Sequence, residues 1–186
     1  MVDGFIEDFE EGTAGAPFPA TNWPSAYRVA YTTPGHSGSL AVGPDTPGGA
    51  GDLYFETVPG SSVADDAVTP VTAWVRFDGV LPPPEAIRIG FFGWGDIFLY
   101  VTSSGTLRVE KPGSTSEPGI TIPYDTWIEI RCEYDVSAMT MTVWFDDVDL
   151  GAVAWTGAVP WYVDFSVGTS LVTLWDDIQI GEVPEE

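Results

Sequence analysis

Between Thr126 and Gly151 the chain reads TWIEIRCEYDVSAMTMTVWFDDVDLG, two alternating runs joined by a short reversal. Ile128, Ile130, Cys132 and Tyr134 fall on one side of the first run, and Glu129, Arg131, Glu133 and Asp135 on the other. In the second run Met139, Met141, Val143 and Phe145 oppose Thr140, Thr142, Trp144 and Asp146. Successive side chains of a strand point to opposite faces, so alternation over this length predicts half-buried strands rather than a helix, whose period is about 3.6. Asp135 to Ala138 supplies the reversal, and an Asp146-Asp147-x-Asp149-x-Gly151 corner closes the second run.

The rest of the chain follows the same grammar. Strands are expected at Phe5–Glu10, Tyr27–Tyr31, Ser39–Val42, Leu53–Thr57, Val71–Asp78, Ile87–Phe92, Ile97–Thr102, Thr106–Glu110, Gly119–Ile122, Trp127–Tyr134, Met139–Asp146, Leu150–Ala154, Tyr162–Val167 and Val172–Ile180. Turn chemistry separates them, as in Thr33-Pro-Gly, Pro82-Pro-Pro, Ser103-Ser-Gly and Lys111-Pro-Gly. No ten-residue segment has helical periodicity. The expected fold class is all-β, a two-sheet antiparallel jelly-roll sandwich. With 186 residues and no linker-like stretch, one domain spanning 1–186 is expected. Its tail at 181–186 is acidic, and the loop Gly12–Ser25 is anchored by Phe18 and Trp23.

Charge excludes two classes of partner. Lys and Arg number 6 against 28 Asp and Glu, a net charge of −22. Such a field repels phosphate backbones and anionic lipid heads, so neither nucleic acid nor a membrane surface is expected. The one cysteine, Cys132, sits on the inward side of its strand and reads as a small buried hydrophobe. The N-terminal MVDGFIEDFEEG has no basic segment followed by an apolar one, so no export signal is expected.

An aromatic set stands out against the aliphatic one. Val71, Ala73, Val75 and Phe77 share one side of their strand, and Thr72, Trp74, Arg76 and Asp78 the other. Ile87, Ile89 and Phe91 oppose Arg88, Gly90, Phe92 and Trp94, and Ile97, Leu99 and Val101 oppose Phe98 and Tyr100. If the aliphatic sides form the core, Trp74, Arg76, Phe92, Trp94, Phe98 and Tyr100 share an outer face, extended by Trp144. Flat rings beside Arg and Asp suit a glycan site, and equally a protein interface. A third reading covers the face with loops such as Ala154–Tyr162, making a second small core.

The order of these signals resembles the concanavalin A-like lectin/glucanase superfamily, specifically its laminin-G-like jelly rolls. The matching residues are Asp8-Phe9-Glu10-Glu11-Gly12, His36-Ser-Gly-Ser-Leu-Ala-Val42, Trp127 with Tyr134-Asp135, Val143-Trp-Phe-Asp-Asp147 and Trp175-Asp-Asp-Ile-Gln-Ile180. The resemblance implies that the first and last strands are neighbours, bringing Phe9 near Ile178. It also implies a structural calcium between Glu10 and Asp177, an ion that takes about six to eight oxygens. The Asp146-Asp147-x-Asp149 corner reads as a plain tight turn. Glycosidases of the superfamily align carboxylates on one strand. Here Glu129-x-Arg131-x-Glu133-x-Asp135 places an arginine at the centre, which suits a surface ion-pair ladder. His36, the single histidine, reads as structural, because no sharp Gly-x-Ser-x-Gly turn accompanies it. No enzyme is expected.

A lectin-like fold without an export signal fits a phage particle, assembled inside a cell and active outside it. The expected role is a non-enzymatic virion structural or adhesion protein of tail, fibre or capsid decoration. Its partners would be other virion proteins, further copies of itself, and host-surface glycans. The alternative is a stand-alone carbohydrate-binding module, with a glycoside-cleaving enzyme behind it.

Overall fold

The computed structural model describes residues 5–18, 25–27, 29–45, 51–56, 68–78, 85–91, 97–111, 113–135, 137–154, 162–167 and 172–181. Among them are fifteen strands and no helix. In chain order these are β1 (Phe5–Glu7), β2 (Ser25–Tyr27), β3 (Val29–Thr32), β4 (Ala41–Pro44), β5 (Gly51–Glu56), β6 (Val68–Asp78), β7 (Glu85–Phe91) and β8 (Ile97–Val101). They continue with β9 (Leu107–Lys111), β10 (Ser114–Ser116), β11 (Trp127–Asp135), β12 (Thr140–Phe145), β13 (Val148–Ala154), β14 (Tyr162–Val167) and β15 (Val172–Ile180). The larger sheet runs β13-β12-β11-β6-β15-β4-β3 with β1 also against β15, and the smaller runs β10-β9-β8-β7-β14-β5-β2. All ladders are antiparallel. The fold is the expected β-sandwich jelly roll.

Alternation sorts the faces as read from the sequence except at Met139, which is exposed because it sits at a φ of 52° in the reversal before the strand. Val71, Ala73, Val75 and Phe77 of β6 are buried, and so are Ile128, Ile130 and Cys132 of β11 and Met141, Val143 and Phe145 of β12. Leu99, Val101, Leu107 and Val109 of the smaller sheet join the same core. Each Val, Leu, Ile, Met and Phe among them contributes roughly 1.5–3 kcal/mol on burial, and together they dominate stability. Phe18 pins the loop after β1, packing edge-on against Phe9 at 5.3 Å and Tyr31 at 5.2 Å; Trp23, its expected companion, lies outside the described residues.

Three expected strands differ. β1 stops at Glu7 because Phe9 turns to a φ of 56°, which drops its ring into the core and ends the ladder. The run Tyr27–Tyr31 divides between the two sheets: β2 pairs with β5, β3 with β4. Gly119–Ile122 makes only an isolated bridge, Thr121 with Thr106, and the neighbouring Ser114–Ser116 takes the place beside β9. β1 does lie along β15, with Phe5 opposite Ile180, and Phe9 and Ile178 meet in one core.

Candidate functional site

The site begins with one extra residue in β15. Asp176 pairs with Trp74, but Gln179, rather than Ile178, pairs with Thr72. The surplus makes a bulge at which Asp177 takes a φ of 45°, and such bulges re-aim side chains. Two successive carboxylates thereby reach one loop, 33–40, which lies over the larger sheet. Asp176 accepts the His36 backbone N–H at 2.6 Å and that of Asp177 at 2.8 Å. Asp177 accepts the His36 ring N–H at Nδ1 (2.6 Å) and the Ser37 hydroxyl (2.7 Å).

Glu10, just past the turn at Phe9, holds the other end of that loop. Its carboxylate accepts the N–H groups of Ser39 (2.8 Å) and Leu40 (2.6 Å) and the Ser39 hydroxyl (3.0 Å). Those backbone N–H groups draw the Glu10 carboxyl below its ordinary value. Burial, by contrast, pushes Asp176 up to about 6; the two N–H bonds oppose this and the Asp177 and Glu10 charges add to it. A Cβ at position 38 would come within 2.4 Å of Glu10 Cδ, so a larger residue there must displace that carboxylate.

The loop delivers His36 onto the sheet. Its ring stacks on Trp74 at 3.8 Å with an interplanar angle of 13°, and meets Trp127 edge-on at 5.8 Å. Trp127 Nε1 donates to Gly35 O at 3.2 Å. One face of Trp74 is thus covered, by the loop around His36; the segment 155–161, which the third reading places over this face, lies outside the described residues.

Glu10 and Asp177 do converge, as the resemblance implied, but on His36, Ser37, Ser39 and Leu40. Their oxygens face N–H and O–H donors, and as arranged they do not fit a calcium shell. Among the described residues no group of three or more His, Cys, Asp or Glu has metal-holding geometry. The acids were visible in the sequence as a terminal cluster. The signal that could have marked their role is the donor-rich Gly35-His-Ser-Gly-Ser-Leu40, which is a natural partner for carboxylates.

Beyond the loop, the outer face of the larger sheet carries partly exposed side chains among the described residues. Arg131 lies over the Trp144 ring at 4.3 Å and reaches Glu133 at 3.8 Å through an Nε that is itself buried. Arg76 is committed, 2.6 Å from Asp78 and 3.8 Å from Asp125. The expected single aromatic face is corrected here. Trp74, Arg76 and Trp144 belong to the larger sheet, whereas Phe98 and Tyr100 belong to β8 of the smaller one. Outer faces of two stacked sheets point apart. Tyr100 instead lies under Arg108, at 4.6 Å, with Arg108 bound to Glu110. Phe92 and Trp94 lie outside the described residues.

No protein-family model matches this sequence, and no curated protein does. Solved structures do match in shape. A carbohydrate esterase from Shiga toxin-encoding bacteriophage phi24B superposes with a TM-score of 0.67 at 12% identity, over 98% of each chain. A sialidase gives a TM-score of 0.65 at 10% identity; 97% of this chain is covered, yet it spans only 18% of the sialidase. A glycosyl hydrolase family protein from Mycobacterium fortuitum gives 0.56 at 17% identity, over 95% of this chain and 98% of that one. What is shared at such identities is the β-sandwich fold.

Proposed function

We propose that this protein is a non-enzymatic, lectin-like subunit of a phage particle, docked on other virion proteins and reading a host-surface glycan with the outer face of its larger sheet. The observation that carries the reading is the strip where Arg131, stacked on Trp144 and with 42% of its side chain exposed, stands between Glu129 and Glu133. Rings and mixed-sign polar groups on a rigid sheet suit recognition of hydroxyl-rich ligands. The likeness in fold to a phage protein over nearly the full length supports the virion setting.

The test is a glycan array together with mass spectrometry of purified particles. The expected outcome is binding to one glycan class, weakened about tenfold or more by Trp144→Ala, a loss of ~1.4 kcal/mol, and presence in particles at fixed stoichiometry. Binding lost instead on Tyr100→Ala would move the site to the smaller sheet. A catalytic reading has one observation in its favour, the 2.6 Å His36–Asp177 contact. Turnover of a polysaccharide or sugar ester that disappears in His36→Gln would replace the lectin reading with it.

A further inference from the structure

The strip around Arg131 has a shape and a charge that select among glycans. Across the sheet, Trp144 pairs with Arg131, Arg131 with Thr72, and Thr72 with Gln179. Adjacent strands lie about 4.8 Å apart, so this row runs ~14 Å, long enough for an oligosaccharide rather than one ring. Thr72 is its lowest point: a short side chain with Arg131 and Gln179 to either side, and Trp74 under His36 next along the strand on the same face.

The polar groups beside Thr72 are of both kinds. Arg131 offers donors; Glu133, Glu129 and the Gln179 amide oxygen offer acceptors, the Gln179 nitrogen being held by Gly181 O at 3.2 Å. The charge in the strip is that of one arginine between two glutamates, within a chain of net charge −22. Arg76, the other arginine on this face of β6, is held by Asp78 and Asp125. A carboxylated sugar would meet more negative charge than positive, whereas hydroxyls can both give to Glu and take from Arg.

Resting on the lectin reading above, we infer that the ligand is a neutral oligosaccharide laid across β12, β11, β6 and β15 with Thr72 beneath it. The experiment titrates the intact protein with neutral glucan, mannan and galactan oligosaccharides and with sialylated and uronic-acid oligosaccharides, at low and high salt. Neutral chains should bind with affinity unchanged within about twofold by salt, because an uncharged ligand is not screened. Thr72→Trp, which fills the low point, and Arg131→Met should each weaken binding by about tenfold or more. Thermal unfolding of each variant checks folding, and Gln179→Ala replaces Thr72→Trp should the latter not fold. Preference for the acidic sugars, or neutral binding untouched by these variants, overturns the inference while leaving a lectin. Binding to no sugar at all removes the lectin reading itself.

Discussion

Asp176 has no exposed surface, and its burial pushes the carboxyl up to about 6 from an ordinary 3.8. The folded chain therefore keeps a proton that the unfolded chain has released over that interval. Stability from this group is fully present below about 3.8 and is lost as pH rises through about 6, a change of at most ~3 kcal/mol. Glu10 works the other way: its lowered value stabilises the fold above its ordinary 4.5 and that gain is lost in acid. In Asp176→Asn the decline in stability between pH 4 and pH 6 should flatten, whatever the baseline cost of exchanging an acceptor for an amide. Urea unfolding at a series of pH values measures it, and an unaltered slope would show that Asp176 ionises normally.

At the scale of elements, the loop 33–40 is held by three carboxylates, by His36 and Gly35 on Trp74 and Trp127, and by Leu40 in the core. Gly38→Ala should push Glu10 off Ser39 and Leu40 and loosen the loop, read as a lowered denaturation midpoint. A neutral result would mean that the loop shifts without strain. Strand faces were legible: alternation at 71–77, 128–132 and 141–145 placed the core side chains correctly. Strand neighbours were not. Period two says which side of a strand is apolar and nothing about the ladder it joins, so β6 and β8 were read together although they belong to opposite sheets. The same limit hid the split of 27–31 and the stacking of His36 on Trp74, since no local period marks a loop that folds over a sheet.

For the whole molecule the net charge of −22 sets the behaviour. With 6 Lys and Arg for 28 Asp and Glu the acids far outnumber the cations, and like charges on a compact body repel. Salt shortens that repulsion, with a screening length of about 10 Å at 0.1 M and about 3 Å at 1 M. The thermal midpoint should therefore climb as sodium chloride is raised over that range; a flat response in differential scanning calorimetry would show that the acids are already neutralised. The pairing of β1 with β15 sets Phe5 opposite Ile180, so the chain enters and leaves the sandwich at neighbouring points. That seam borders the Gln179 end of the row that carries Arg131 and Trp144, so loosening β1 from β15 would be felt at the recognition strip itself.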